Sequence, residues 1–313
     1  MEKRIFMSVK AVVLLMGLFV IAGAQWSVAA AVTDKKIVVV DDMGRRIELN
    51  HGATRVISLA PHITENLFTV GAGEQLVGVV NYSDFPAAAT AIRSVGSYKQ
   101  FNLEVIAALQ PDLIIGWASG NGMGKLQQLI DLGFTVYISN PETVLSIADT
   151  LERFAELTNN LERGRQAAAQ FRDTVAQLQG DNQQQKSLSV FYQVWNKPLQ
   201  TLNGKHMISD VIRLCGGNNA FADAAVIAPK IGVESVLAAN PHVIIASGMG
   251  EERPEWLDQW RDWPALRAVK NDNLYFIPPD HLQRHTVRLL LGASQMCEQF
   301  NAVRKKAAAG ASH

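Results

Sequence analysis

Leu103-Glu-Val-Ile-Ala-Ala-Leu-Gln-Pro-Asp-Leu-Ile-Ile-Gly-Trp-Ala-Ser-Gly120 returns later in the chain as Val233-Glu-Ser-Val-Leu-Ala-Ala-Asn-Pro-His-Val-Ile-Ile-Ala-Ser-Gly-Met-Gly250. At a constant offset of 130 residues Glu104 matches Glu234, Ala108 matches Ala238, Pro111 matches Pro241, Ile114 and Ile115 match Ile244 and Ile245, and Gly120 matches Gly250. Two copies this far apart predict two similar lobes. Each copy reads as a short helix with apolar residues at helical spacing, a proline that stops it, and an apolar strand running into a loop of small residues. The strands Asp112-Leu-Ile-Ile-Gly116 and His242-Val-Ile-Ile-Ala246 show no polar alternation. Such strands are buried on both faces, so the fold class is α/β with parallel sheets covered by helices. Ligands of open parallel sheets sit beyond the carboxyl ends of the strands, which aims the loops at Trp117 and Ser247 toward a shared cleft.

Residues 1–30 read as a signal peptide. Lys3, Arg4 and Lys10 precede the apolar run Ala11 to Ala24, Ser27-Val-Ala-Ala30 supplies small residues for cleavage, and the run is short for a membrane span. Basic and acidic residues balance at 29 each, so no basic field argues for nucleic acid or an anionic membrane. Cys215 and Cys297 are the two cysteines. In an oxidising compartment an even pair favours a disulfide over two free thiols, and a metal site of this kind wants more such ligands.

Lys36 to Leu49 reads as a hairpin turning at Asp41-Asp42-Met43-Gly44. Arg55–Leu59 and Leu76–Val80 read as strands around a helix opened by Thr64 and Glu65, with Pro61 and His62 in the preceding loop. Lys125–Leu132 reads as a helix and Phe134–Ile138 as a strand. Glu142 to about Leu178 lacks proline and keeps apolar residues at helical spacing, predicting one connecting helix of about 50 Å that Asn159-Asn160 could interrupt. In the second half Leu188–Trp195 and Leu274–Ile277 read as strands, Ile208–Leu214 as a helix, Pro278–His281 as an exit loop, and Thr286 to about Lys305 as a closing helix. The domain reading is therefore a first lobe over 31–140, a connecting helix over 141–180, a second lobe over 181–306 and a fraying tail over 307–313.

Aromatic residues gather at predicted strand exits: Tyr82, Phe85, Tyr98, Trp117 and Trp195, joined by Asp280 and His281. Each aromatic buries about 150 to 250 Å², the usual means of holding a large flat organic ligand. A transition-metal site built from His62, His206 and His281 has no His-x-x-x-His or His-rich tract behind it. Gly120-Asn-Gly-Met-Gly-Lys125 fails as a phosphate loop, because Ser119 stands where the first glycine belongs and Leu126 where Ser or Thr belongs; it reads as a tight turn opening a helix. No Gly-x-Ser-x-Gly elbow or His-Glu-x-x-His helix points to an enzyme. Glu104 and Glu234 admit two readings, as first-turn carboxylates serving the helix dipole or as one docking carboxylate per lobe meeting arginines of a two-fold partner. The residue pattern leaves both open.

Together Arg55-Val-Ile-Ser-Leu-Ala-Pro61, Asn81-Tyr-Ser-Asp-Phe-Pro86, Asn102-Leu-Glu104, Gln110-Pro-Asp-Leu-Ile-Ile115, Leu214-Cys-Gly-Gly217 and Gln295-Met-Cys297 resemble the periplasmic cobalamin-binding proteins of ABC importers. The resemblance covers nearly the whole chain after residue 30, within a wider family that includes ferric-siderophore and haem binders. It implies two Rossmann-like lobes joined by one long rigid helix, a non-enzymatic monomer in the periplasm, no catalytic cofactor, and cobalamin held between the lobes as transported ligand. The expected partner is a dimeric ABC transporter permease in the inner membrane. Tyr82, Tyr98 and Trp117 would meet the ligand, Glu104 and Glu234 would dock the permease, and Cys215 and Cys297 would form a disulfide. One departure stands out: Ala228 occupies the position, six residues before Glu234, where the family carries a ligand-facing tryptophan. Trp195 or His281 is expected to fill that space.

Overall fold

A computed structural model of the chain describes residues 36–310 apart from Met249 and Glu251, so the signal-peptide reading and residues 311–313 lie outside the described residues. Strands β1 (Ile37–Val40) and β2 (Arg46–Leu49) form the expected antiparallel hairpin. Its turn is closed by Asp41, whose Oδ1 accepts from the backbone of Met43 and Arg45.

The first parallel sheet is built from β3 (Val56–Ser58), β4 (Leu76–Val79), β7 (Leu113–Trp117) and β8 (Val136–Ser139), in the order β4-β3-β7-β8. A small hairpin, β5 (Gly96–Ser97) with β6 (Gln100–Phe101), stands outside it. Helices α1 (Pro61–Thr69), α2 (Leu103–Ala108), α3 (Ala118–Asn121) and α4 (Met123–Asp131) belong to this lobe. The second parallel sheet uses β9 (Leu188–Gln193), β10 (Gly217–Asn219), β11 (Val243–Ala246) and β12 (Leu274–Phe276), in the order β10-β9-β11-β12. The two orders are the same. The repeated helix-strand unit, α2 with β7 and α8 (Val233–Ala239) with β11, fills the third place in each sheet. Even its stop repeats: Gln110 and Asn240, each directly before a proline, both take a positive φ, at 46° and 42°.

Between the sheets the predicted single helix is two. Helix α5 (Ser146–Leu157) ends where Asn159 turns left-handed at φ 57°, and α6 (Leu161–Asn182) resumes after Asn160. Asparagine tolerates that conformation, and the Asn160 amide donates back to the Thr158 carbonyl at 3.0 Å. The two helices pack closely at Gly164, where a Cβ would lie 2.1 Å from that of Ala155. This contact explains the lone glycine in the run. The connecting helix is therefore α6, with 22 residues.

Helix α1 starts at Pro61, earlier than Thr64, because proline suits the first helical position; His62 consequently lies in a helix and is buried. Helix α7 (Met207–Leu214), the short α9 (Arg267–Lys270) and α10 (Pro279–Leu282), and α11 (Leu289–Gly310) complete the second lobe, with a 3-10 turn over Glu255–Asp262. The exit loop Pro278–His281 is thus largely α10, and α11 continues four residues into the stretch expected to fray. Cys215 and Cys297 are joined, tying α7 to α11. One apolar core, including Ile63, Phe154, Phe171, Ile208 and Phe300, runs through α1, α5, α6, α7 and α11 and packs against one face of both sheets. The lobes share that core, so the packing resists a hinge. Among the described residues no helix is long and apolar enough to cross a membrane.

Candidate functional site

In both sheets the chain leaves the first strand toward one neighbour and later returns on its other side, which puts the topological switch point between β3 and β7 and between β9 and β11. Crevices open beyond the carboxyl ends of such strand pairs. A cavity of about 220 Å³ lies beyond the first pair, lined by Pro61, His62, Tyr82, Tyr98 and Trp117 on one side and by Pro279, Asp280, Gln283 and Arg284 on the other. A second, of about 330 Å³, lies beyond the other pair, lined by Val194, Trp195, Gln200, Gly248 and Gln283. Gln283 belongs to both and is anchored through its Nε2 to the Ser247 carbonyl at 2.5 Å. The two lobes therefore contribute facing walls to one cleft.

Trp117 is the centre of the first wall. Its ring stands 6.2 Å from that of Tyr98 and meets His62 and His285 edge-on at 4.9 and 6.1 Å. Asn121 sets this wall: its Oδ1 accepts from the Trp117 N–H at 2.6 Å while its Nδ2 donates to the carbonyls of Leu59 and Tyr98 at 2.9 and 2.7 Å. Gly120 must be glycine, because a Cβ there would fall 1.8 Å from the indole. Tyr82 sits at a tight turn with φ 65° and is largely exposed at the cleft mouth. Trp195 faces from the second lobe, its Nε1 donating to the Lys197 carbonyl. Gln200, paired with Trp195, donates to the carbonyl of Ala228, which puts Trp195 near that residue.

Three further expected residues stand apart from the aromatic wall. His281 lies in α10 and lines neither cavity. Phe85 packs instead under the guanidinium of Arg288, 4.1 Å from its ring centre. Asp280 lines the first cavity and is also held by Arg284 at 2.9 Å and Arg288 at 3.2 Å. The same arginines clasp Glu65 of α1, at 2.7 and 2.8 Å, and Arg284 also pairs with Asp84 at 2.9 Å. Burial works against the charge of Arg284, yet bonds from Asp84 and Glu65 more than offset it and raise its pKa. This cluster bolts α1 to the end of the second lobe.

Beneath the cleft His62, His285 and His206 form a chain, with ring centres 5.4 and 6.5 Å apart. Burial pushes His206 and His285 down to about 4, His206 adding to the effect on His285. His62 is driven well below its ordinary value by burial, then by His285 and Arg284. The third ring in this chain is therefore His285, and not the His281 that the sequence put beside His62 and His206. Among the described residues no group of three or more His, Cys, Asp or Glu side chains is arranged to hold a metal ion.

Glu104 and Glu234 are both exposed in the first turns of α2 and α8. Each stands close to a cleft-lining segment: the β5–β6 hairpin bearing Tyr98 leads directly into Asn102 and α2, and Ile231, just before α8, bonds to Leu199 next to Gln200. Both carboxylates thus flank the cleft end of their lobes. Sequence reasoning missed Asn121, Gln283, Arg284 and His285; the glycine-rich stretch around Asn121 was the available signal, while the others follow a segment without periodicity.

Residues 56–281 match the periplasmic binding protein family. The chain belongs to that family. This periplasmic binding protein is 39% identical over 255 residues to the vitamin B12-binding protein of Vibrio cholerae serotype O1, covering 81% of this chain and 91% of the relative. It is 34% identical over 257 residues to the vitamin B12-binding protein of Vibrio parahaemolyticus serotype O3:K6, covering 82% and 93%. Among solved structures it is similar to the periplasmic vitamin B12 binding protein BtuF of Vibrio cholerae, with a TM-score of 0.74 at 39% identity over 81% of this chain and 98% of that one. Similarity to the periplasmic heme-binding protein RhuT from Roseiflexus sp., with a TM-score of 0.71 at 22% identity over 81% and 100%, reflects the shared fold.

Proposed function

We propose that the protein captures cobalamin between its lobes in the periplasm and delivers it to the dimeric permease of an ABC transporter in the inner membrane. The observation that carries this reading is the cleft itself, with Tyr82, Tyr98 and Trp117 on one wall and Trp195 on the other, at paired switch points. A corrin is a broad macrocycle rimmed with amides. Aromatic faces bury its body, and Gln200, Gln283 and Arg284 offer polar groups to its rim. Curated relatives at 39% and 34% identity are named as vitamin B12-binding proteins, which supports cobalamin over haem or a ferric siderophore.

The role is binding and not catalysis, since the acid nearest the cleft, Asp280, is engaged by two arginines. The shared core and the Glu65 cluster favour a monomer that closes little on its ligand, presenting Glu104 and Glu234 together to a two-fold partner. Titration of protein purified from the periplasm with cyanocobalamin is expected to give tight one-to-one binding. Replacing Trp117 by alanine is expected to weaken it by about 2 kcal/mol, the scale of a buried aromatic anchor. Tight binding of haemin or a ferric siderophore with only millimolar affinity for cyanocobalamin would overturn the assignment.

A further inference from the structure

The second lobe holds another cavity at the opposite edge of its sheet. Its volume is about 440 Å³, within the range of about 300 to 1,000 Å³ usual for small-molecule sites. It opens where β9, β11 and β12 begin, beside Leu188, His242 and Asn273, so the length of the sheet separates it from the aromatic cleft. Lys186, Arg267, Arg304 and Lys306 line it, and among the described residues no Asp or Glu does. None of these four cations is ion-paired with a carboxylate among the described residues. Among the described residues Arg304 donates to neutral oxygens, those of Lys186, Cys215 and Gly216 at 2.9 Å and of Asn301 at 2.8 Å. Burial accordingly holds its pKa below the usual value. Four like charges around one concavity, in a chain of zero net charge, make a strongly positive local field.

The internal repeat shows where the two lobes differ. In the first lobe the residue after the repeated proline is Asp112, whose carboxylate accepts from the N–H groups of Thr54 and Arg55 at 2.7 and 3.0 Å. In the second lobe the matching residue is His242, whose Nδ1 accepts from the N–H of Ser189 at 3.0 Å. The structural bond is kept and the negative charge is lost. A backbone N–H can only donate, so Nδ1 carries no proton and the ring proton sits on Nε2. That Nε2 lies 2.7 Å from Nη1 of Arg267, which also can only donate. Two donors therefore face each other in the cavity wall, an arrangement that is relieved when the flexible Arg267 side chain swings off the Nε2–H axis and an acceptor takes its place, receiving from both.

We propose that this cavity is a second binding site, taking a small organic oxyanion, a carboxylate, sulfonate or phosphate monoester, with its acid group against His242 Nε2 and Arg267 and its apolar body against Leu188 and Val303. Lys186 and Lys306 flank the acid group, and the site works independently of the cleft.

The test is calorimetric titration of untagged protein from the periplasm with naphthalene-2-sulfonate and, in parallel, with uncharged naphthalene-2-sulfonamide. One-to-one sulfonate binding is expected with a Kd below about 1 mM, unchanged by saturating cyanocobalamin and not matched by the sulfonamide. The double variant Lys186→Gln/Arg267→Gln is expected to weaken it at least about tenfold, the loss that follows when charged partners of an anion are removed. His242→Asp, which restores the carboxylate of the first copy, is expected to have the same effect while keeping the bond to Ser189. Absence of saturation, equal binding of the sulfonamide, displacement by cyanocobalamin, or unchanged affinity in either variant overturns the proposal.

Discussion

Acid should loosen this protein through its buried histidines. An imidazole with a pKa of 6.5 in the unfolded chain and about 4 in the folded protein, as for His206 and His285, takes up a proton on unfolding throughout that interval. Because the unfolded state binds more protons there, stability falls as pH falls from about 6.5 toward 4 and is restored above it. Between pH 7 and pH 5 each ring removes about 2 kcal/mol, and the two together about 4 kcal/mol, a large fraction of the stability of a typical domain. His62 adds to this with the same sign. Protonation also breaks a bond, since His206 Nδ1 accepts from the N–H of Ile208 at the start of α7. Asp210 opposes the effect at His206, while His285 and Arg284 reinforce it at His62. The perturbation is His206→Asn with His285→Gln, which keeps a capping side chain at residue 206 and removes both titrating rings. Urea denaturation at pH 7, 6 and 5 measures it. The wild type should lose about 4 kcal/mol more than the variant over that interval. Equal pH slopes for the two proteins would refute the reasoning, whatever their stabilities at pH 7.

Replacing Glu65 by glutamine should cost about 3 kcal/mol, at the lower end for a broken buried pair because Asp280 still holds both arginines; a loss below about 1 kcal/mol by the same urea titration would show that the clasp between α1 and the second lobe is structurally idle. Reduction of the Cys215–Cys297 bridge should lower stability by about 2 to 5 kcal/mol, read as a fall in the denaturation midpoint with reductant, and peptide mass spectrometry without reduction should recover the linked pair. The double change Glu104→Ala/Glu234→Ala should weaken complex formation with the permease by about 2 to 5 kcal/mol and sharply reduce uptake, leaving cobalamin affinity and melting temperature nearly unchanged. Carboxylates that only serve the helix dipole would give the reverse, a slightly lower melting temperature with intact uptake.

The sequence by itself determined what depends on local pattern and internal repetition. Apolar runs without alternation at Leu113–Trp117 and Val243–Ala246 can only be interior strands of a covered parallel sheet, and the repeat around them carried the matching strand orders of the two lobes. Tyr82, Trp117 and Trp195 were legible as cavity-lining residues for the same reason, since residues at the ends of β4, β7 and β9 emerge at the carboxyl edge, whereas Tyr98 reaches the cavity from the turn of the β5–β6 hairpin. Tertiary structure alone decided the rest. Chain position did not give the stacking of Phe85 on Arg288 or the placement of His281 in α10, outside the lining of both cavities. Glu65 looked like a helix-opening residue, and its actual partners lie 219 and 223 residues away. His62, His206 and His285 come from three separate segments and are lowered chiefly because packing removes water from all three, with His285 and Arg284 adding to the effect at His62 and His206 at His285. Local propensity is a property of neighbours in the chain, whereas desolvation and ion pairing depend on which distant segments the shared core brings together.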